Sequence, residues 1–593
     1  MMQQTKPLFY IKRYKKVLYA SLAIEVVSFV VALTDSIVAA NMIDRDALIA
    51  IGLMSPFQFA AMFLASVINS GTLLNYTRAI GNYDRRRASE VFSHGCILAV
   101  GLGVLLFAFM LAVKGVFLNS ADISDKTKEY LETYYDVIIW YYLFLPLYTV
   151  LDNTVMNDGG EKLSSVLNIF QVVSNVLLSV ILSRTYGVKG IAVASVICQL
   201  IAMGMACTWF FRKKSTAHFI LSFQRRSFLL LRDGMGRPIA YALTAVLVWN
   251  LNPYVNNRFG NDAMAEFVII RKTMELSFIF MGLSLALQPF IGILRGERNT
   301  KAERQLLREV CLIILFIGIV VSLGVLLFAP RFAAIFGFGS DVVGDSAVAG
   351  VRVIASTLFV RALLMLFFVY YFLTDRRGMM LLISILGDFV TPIAFGILGS
   401  MIAKSQSGVW IGIAVSPVVT LLICICVVRS KYGREQFPFL IPHGNEEKIY
   451  IYDFPISVEN NMDMVETAGR LLTVEGYNQR TIKQVELVLE ETLMMIREKN
   501  REKNRNEKNE VSVECTIITE ENGVRVILRD TGILFDITDS EAYINSFEQY
   551  IISRVMLFPK SKMYITSLGY NRSEYFFSEK ELITKDTDKT LSH

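Results

Sequence analysis

Residues 310–329, VCLIILFIGIVVSLGVLLFA, contain no charged side chain. A helix of this length rises about 30 Å, which matches the hydrocarbon core of a bilayer, so the stretch is predicted to span a membrane. Similar stretches make the chain 53% hydrophobic and only 19% charged, with a mean hydropathy of +0.46. The sequence therefore predicts an all-α membrane region of twelve transmembrane helices in two six-helix lobes, near residues 17–40, 47–77, 91–118, 133–155, 163–183, 188–211, 237–258, 263–294, 309–329, 347–374, 379–402 and 408–428.

The basic residues between these stretches predict the topology. Lys and Arg gather at the N-terminus and at 85–87, 212–214, 295–304 and 429–434, all on one side of a twelve-helix count. Because cytoplasmic loops collect basic residues, both termini are predicted to be cytoplasmic, in a multi-pass protein of a bacterial plasma membrane. The net charge of +6 is spread over these short clusters, which argues against a nucleic-acid partner.

A short internal repeat divides the membrane region. Residues 81–88, GNYDRRRA, follow the second predicted helix, and residues 296–302, GERNTKA, follow the eighth. Each half holds six predicted helices, so the halves start on the same side as parallel repeats, which usually enclose a central substrate path. The predicted boundaries are an N-terminal lobe at 1–211, a connector at 212–235, a C-terminal lobe at 236–430, a linker at 431–446, a soluble domain at 447–580 and a disordered tail at 581–593.

The membrane region resembles the multidrug and toxic compound extrusion (MATE) transporters. The resemblance is carried by Thr34–Val38, Gly52–Pro56, Ala79–Asn82, Asn175, Gly187–Ala192 and Gln288–Phe290. It implies two lobes around a V-shaped cavity, and export of an organic, typically cationic substrate in exchange for H⁺ or Na⁺. Seven cysteines without a CxxC pair and four scattered histidines predict no metal site.

Ionisable residues inside apolar stretches are candidates for the transport site, because a charge at bilayer depth is costly unless it has a function or a partner. Asp35 matches the family acid that joins an N-terminal ion or proton site. The resemblance places Asn175 at the same site, but Ser179 stands where the family has a second acid. With Ser195 as a further oxygen donor, the resemblance implies an ion-coupling site that holds a single carboxylate.

The C-terminal lobe offers a second set of candidates. Arg361 and Asp388 lie in the tenth and eleventh predicted helices, either as a neutralising ion pair or on the cavity wall. Asn250 and Asn252, near where the repeat places the counterpart of Asp35, are candidates for an uncharged cavity lining. A further cluster of opposite charges, Arg271–Glu275, lies in the eighth helix.

The composition becomes that of a soluble domain from about residue 446. Residues 481–496 have apolar side chains at helical spacing, with Thr481 as the predicted N-cap. Residues 511–519 and 524–530 alternate apolar and polar around Asn522-Gly523, a strong hairpin signal. The tail is therefore predicted to be an α+β domain.

This order of elements resembles the histidine-kinase-like ATPase fold, a sandwich, and more narrowly the anti-sigma-factor serine kinases. In that family the residues matched by Glu491, Asp530 and Gly532 activate the nucleophile, bind the adenine amino group and admit the ring. Two features depart from the pattern: Met495 replaces the Mg²⁺-binding Asn, and residues 547–551, FEQYI, replace a glycine-rich phosphate loop. A thioether is a poor ligand for Mg²⁺, so binding of ATP and Mg²⁺, and any enzymatic activity, are not expected.

Three functions fit these features. The first is a MATE-like antiporter for a small organic substrate, whose ATPase-like tail regulates transport by binding a cytoplasmic protein or a nucleotide at residues 447–580. The second is a membrane-anchored signalling protein whose tail sequesters a protein partner, as anti-sigma factors do. The third is a lipid-linked oligosaccharide flippase. The sequence does not choose between H⁺ and Na⁺ as the coupling ion.

Overall fold

Long helices dominate the computed structural model. The structure describes residues 10–11, 14–15, 18–19, 22, 33–81, 84–119, 123–158, 160–212, 215, 217–220, 225–236, 238–297, 299–339, 341–433, 436, 438–441, 448–500, 511–520, 522–533 and 571–578. Contacts divide the chain into two units. The membrane unit consists of Leu18–Gln288 and Cys311–Phe439, and the tail unit of Met1–Val17, Pro289–Val310 and Leu440–His593.

The described residues up to Tyr432 form a succession of helices. Residues 33–42 form α1. They are followed by α2 (Arg45–Leu53), α3 (Ser55–Gly81), α4 (Arg85–Leu118), α5 (Asp125–Asn157), α6 (Glu161–Tyr186), α7 (Val188–Phe210), α8 (Leu229–Gly234), α9 (Ile239–Glu275), α10 (Ser277–Leu285), α11 (Gln288–Gly296), α12 (Thr300–Ile335), α13 (Val342–Ala355), α14 (Leu358–Leu373), α15 (Arg377–Ile385), α16 (Thr391–Ala403) and α17 (Gln406–Tyr432).

The predicted count of twelve spans is not confirmed. Among the described residues, eight helices are long and apolar enough to cross a bilayer, and a ninth joins them if α13 and α14, bent by 44°, count as one span. Most of the predicted first span lies outside the described residues. The predicted seventh and eighth spans meet in α9, which breaks at Gly260. There the backbone adopts φ +86°, a conformation that favours glycine.

Close packing between helices depends on small residues. A Cβ added to Gly412 in α17 would lie 1.9 Å from the carbonyl oxygen of Phe395 in α16. This approach of backbone to backbone is typical of membrane helices, where small side chains permit extensive van der Waals contact. The main hydrophobic core of the membrane unit is formed by buried residues from both halves of the membrane region, from Leu33 to Ala414.

The tail contains a four-stranded antiparallel sheet in the order β1 (Ile449–Pro455), β2 (Ser512–Glu520), β3 (Gly523–Asp530) and β4 (Asn571–Ser578). The predicted hairpin between β2 and β3 is confirmed. Two helices, α18 (Val458–Val474) and α19 (Gln479–Lys499), contribute to the same core as one face of the sheet. The prediction of Thr481 as N-cap was wrong, because α19 begins earlier and the Asn478 side chain accepts the hydrogen bond from the Thr481 amide. Residues 547–551 and 581–593 lie outside the described part.

Candidate functional site

Asp35 on α1 is bound by a chain of neutral donors. The Tyr134 hydroxyl donates to Asp35 Oδ2 at 3.0 Å, and the Ser195 hydroxyl lies 3.2 Å from the same oxygen. Asn175 Nδ2 in turn donates to Ser195 Oγ at 2.8 Å. The structure therefore brings together three of the four predicted coupling residues, from α1, α6 and α7, and adds Tyr134 from α5.

Ser179, the fourth predicted residue, does not take part in this chain. It lies one helical turn after Asn175 and is fully buried. Its hydroxyl oxygen has no hydrogen-bond partner among the described residues. Among the described residues, Asp35 is therefore the carboxylate of this hydrogen-bonded group.

Asp35 lines a cavity of about 190 Å³. Its wall combines aromatic and polar side chains from both halves of the membrane unit: Gln58, Tyr134, Tyr141, Tyr142, Gln171, Asn175, Ser195, Arg271 and Lys272. A concave site with a few converging polar groups is the usual form of a small-molecule site. The arrangement offers one anionic side chain, two cationic side chains and several tyrosine rings to a ligand.

Arg271 and Lys272 on α9 are buried and share one acid. Arg271 Nη1 lies 3.0 Å from Glu275 Oε1, and Lys272 Nζ lies 2.9 Å from Glu275 Oε2. Arg271 Nη2 also donates to the carbonyl oxygen of Gly52 at 3.3 Å. The sequence displays this charge cluster, but its position beside Asp35 depends on packing between distant helices. The sequence signal for the cluster itself is spacing, because Arg271 and Lys272 lie four and three residues before Glu275 and can therefore contact it on one face of a helix.

Arg361 and Asp388 lie on the wall of a second cavity, together with Arg271 and Glu275. They share this wall without an ion pair within 4.0 Å. Asp388 belongs to a short π-helix, Leu386–Val390, whose widened turn interrupts the helical path between α15 and α16. Such π-helical turns occur frequently at functional sites, so this cavity is a second candidate region.

The two predicted asparagines diverge. Asn250 is exposed, and its Nδ2 atom donates to the backbone carbonyl of Val246 at 2.7 Å. Asn252 is buried and lines a separate small cavity with Trp249 and Phe117. Neither residue lies on the wall of the Asp35 cavity. The i to i+2 spacing explains the divergence, because such residues do not share a face of a helix.

In the tail, the predicted nucleotide residues are engaged by neighbouring side chains. Asp530 Oδ1 accepts hydrogen bonds from the Gly532 amide and from Asn571 Nδ2, both at 2.9 Å. The Asn500 side chain lies against Gly532, where an added Cβ would be 2.4 Å from its amide atoms. Met495 is buried, and Glu491 half-buried, on α19. The groups that would meet adenine in the resembled family are therefore bound to this chain's own asparagines.

This geometry predicts no binding of Mg²⁺-ATP by the full-length protein. Binding would require replacing the Asn571 hydrogen bond to Asp530 and would leave Mg²⁺ with a thioether at Met495. Calorimetric titration of the purified protein with ATP and Mg²⁺ should give only the heat of dilution. Micromolar affinity that depends on Mg²⁺ would contradict this prediction.

The second face of the tail sheet carries a buried ionic cluster, hereafter the Glu297 cluster. Glu297 lies between α11 and α12 and is fully buried. Its carboxylate pairs with Arg529 of β3, and Arg572 Nε of β4 lies 2.8 Å from Glu297 Oε1. The Tyr10 hydroxyl donates to the same oxygen at 3.2 Å, and Arg529 Nη1 also lies 2.7 Å from Glu514 Oε1. All five residues belong to the tail unit, and sequence reasoning missed their connection.

Burial raises the pKa of Glu514 to about 7, with Glu297 and Asp453 acting in the same direction and Arg529 opposing them. Since the folded pKa exceeds the ordinary value of about 4.5, this group stabilises the tail below pH ~4.5 and loses its contribution, up to about 3 kcal/mol, as pH rises through about 7. Glu514→Gln imitates the protonated form. The backbone amides of the variant's tail sheet should therefore be better protected from hydrogen exchange than those of wild type at pH 8, and equally protected near pH 4.

Hydrogen exchange by mass spectrometry on peptides from β2 and β3 of the full-length protein tests this pH dependence. The comparison of wild type with Glu514→Gln at each pH cancels the intrinsic exchange rate. A ratio of exchange rates that is the same at pH 4 and pH 8 would show that Glu514 does not titrate in this range.

Comparisons with known proteins agree with the membrane fold. Residues 21–181 match the MatE family model. No curated protein sequence matches the chain. An inward-facing MATE transporter of the MOP superfamily superposes with a TM-score of 0.63 at 20% identity, covering 68% of this chain and 96% of the other. An outward-facing MATE structure gives 0.58 at 21% identity, covering 71% and 94%.

A third similar structure, from Pyrococcus furiosus, has a TM-score of 0.58 at 20% identity and covers 71% of this chain and 94% of its own. That MOP-superfamily transporter is described as having a binding pocket of reverse polarity, which suggests a different function for it. At these identities the likeness shows the fold. The chain is a multi-pass membrane protein with a MATE-like fold, followed by a small antiparallel sheet.

Proposed function

We propose that the protein is a secondary active transporter that exports a small organic substrate in exchange for H⁺ or Na⁺. The observation that carries this proposal is the single carboxylate of Asp35, held by Tyr134 and Ser195 on the wall of a cavity of about 190 Å³. The side chains that donate hydrogen bonds to Asp35 are neutral, so the negative charge of the carboxylate remains available to attract a cation.

Exchange follows if the coupling ion and the substrate compete for Asp35. A proton or Na⁺ on the carboxylate removes its negative charge, so a cationic substrate group is held less tightly. Departure of the coupling ion restores the charge and the affinity. Tyr134, Tyr141 and Tyr142 line the same wall, and aromatic rings attract organic cations.

The tail is proposed to regulate this transport through the Glu297 cluster. Helix α12 begins at Thr300, three residues after Glu297, and continues to Ile335 as one helix. A fixed Glu297 therefore restrains the first turns of α12, including Lys301, which also donates to the carbonyl oxygen of Ile449 at 3.1 Å. The conformational cycle of a transporter requires helix movement, so this restraint on α12 is expected to slow it.

Competition at equilibrium tests the proposal without a membrane. Binding of a cationic rhodamine methyl ester to the purified protein is followed by fluorescence anisotropy while pH or Na⁺ is varied. The affinity should weaken with acid in the case of H⁺ coupling, or with Na⁺ in the case of Na⁺ coupling, and K⁺ serves as the control ion. An affinity that responds to neither H⁺ nor Na⁺ would overturn the proposal.

A further inference from the structure

Two buried guanidinium groups in the membrane unit carry donors that none of the described residues satisfies. Arg271 Nε on α9 and Arg361 Nη2 on α14 have no hydrogen-bond partner among the described residues. The two side chains are only 5% and 7% exposed and line the same cavity. An unpartnered buried donor is costly, and more so when it belongs to a charged group, so both donors need an acceptor.

The nearby acids leave these donors unsatisfied. Glu275 already binds Arg271 Nη1 through one oxygen and Lys272 Nζ through the other, at 3.0 and 2.9 Å. Asp388 lies on the cavity wall but forms no ion pair with Arg361 within 4.0 Å. In this group the three cations, Arg271, Lys272 and Arg361, therefore outnumber the two carboxylates.

The second cavity adjoins the Asp35 cavity at Arg271, which lies on both walls. When Asp35 is occupied by the coupling ion or by a cationic group, the positive charge of the three-cation group remains to be neutralised. A ligand that reaches from one cavity to the other thus meets an anionic side chain at one end and guanidinium groups at the other.

We propose that Arg271 and Arg361 bind an anionic group of the transported substrate, a carboxylate or a phosphate. The planar fork of an arginine suits both groups, since each presents two oxygens at the spacing of its N–H donors. This proposal rests on the proposed transport function. It assigns the substrate to the class of organic molecules that carry both a cationic and an anionic group.

Matched probes test this assignment in liposomes that contain the full-length protein. A rhodamine methyl ester is a cation, its free acid is a zwitterion, and a phosphate-bearing derivative of the same dye supplies the second anionic chemistry. Of the two dyes that carry an anionic group, the free acid and the phosphate derivative, wild type should move the preferred one about tenfold faster than the ester at subsaturating concentration. This factor is equivalent to one charge-assisted hydrogen bond. Which of the two is faster distinguishes carboxylate from phosphate recognition.

Three variants separate the guanidinium contacts from general effects. Arg271→Gln and Arg361→Gln should each remove the preference, while Arg361→Lys, which keeps the charge but not the fork, should retain part of it. Arg258→Gln is the matched control, because Arg258 is an exposed arginine on α9 outside both cavity walls. Size-exclusion profiles identify misfolded variants. If the two Gln variants misfold, the partial loss of the preference in Arg361→Lys decides whether the guanidinium contact exists.

The outcomes distinguish the two proposals. Transport of the ester at the same rate as the acid and the phosphate derivative, or a preference that survives in full in folded Arg271→Gln and Arg361→Gln, would overturn the anionic subsite and leave the transporter intact. Absence of protein-dependent movement of all three probes would overturn the transporter, and the subsite with it. A preference lost in both Arg271→Gln and Arg361→Gln but kept in Arg258→Gln supports the assignment.

Discussion

Replacing Asp35 with Asn is expected to reduce gradient-driven transport to the level of protein-free liposomes, while exchange of substrate at saturating concentration continues. The amide has the shape of the carboxylate, and its oxygen still accepts hydrogen bonds from Tyr134 and Ser195, which lie 3.0 and 3.2 Å from Asp35 Oδ2. It neither takes up a proton nor carries the charge that attracts Na⁺. The helices therefore still move, but no ion gradient drives them.

Ser179→Ala is the matched control for Asp35→Asn. Ser179 lies near the same group, is fully buried, and its hydroxyl has no hydrogen-bond partner among the described residues. Its removal costs no hydrogen bond, so transport close to that of wild type is expected. Gradient-driven uptake that persists in Asp35→Asn would transfer the coupling role to another residue. An equal loss in Ser179→Ala would indicate general damage to the lobe.

Replacing Glu297 with Gln is expected to loosen the tail sheet and to accelerate transport. The change leaves two buried guanidinium groups, Arg529 and Arg572, without their shared carboxylate. Loss of one partner of a buried pair typically costs about 3–5 kcal/mol. Hydrogen exchange in peptides from β3 and β4 of the full-length protein should therefore become about 100-fold faster or more. The initial rate of gradient-driven uptake should rise as α12 is released.

Glu466→Gln provides the same carboxylate-to-amide change at an exposed site. Glu466 pairs with Arg470 on α18, and both side chains are more than half exposed. Surface pairs of this kind contribute about 0.3–0.5 kcal/mol, so neither exchange nor transport should change measurably. If Glu297→Gln accelerates exchange but leaves the transport rate unchanged, the tail is anchored at Glu297 without regulating transport.

Local features of this chain are easier to predict from its sequence than long-range contacts. The helix near residues 481–496 and the hairpin at Asn522-Gly523 depend on spacing along a short stretch, and both were predictable. The Asp35, Asn175 and Ser195 positions followed from a family resemblance, and the structure places them in one hydrogen-bonded chain. Apolar patterning alone did not select these three positions.

The remaining features depend on contacts between distant parts of the chain. Alternation in β3 is typical of a sheet with one face in solvent, yet Arg529 is fully buried because Glu297, 232 residues earlier, pairs with it. Arg271 joins the wall of the Asp35 cavity through packing of α9 against the N-terminal helices, as its hydrogen bond to Gly52 demonstrates. The spacing of residues within one helix does not predict such contacts between distant elements.

Uphill transport by the wild-type protein is the most direct test of the proposed function. Liposomes are loaded with equal concentrations of the rhodamine free acid inside and outside, and a pH gradient or a Na⁺ gradient is then imposed. Accumulation against the dye's own concentration, collapsed by the matching ionophore, is the predicted result for one of the two gradients. A dye distribution that stays equal under both gradients, repeated with the methyl ester and the phosphate derivative, would contradict ion-coupled transport.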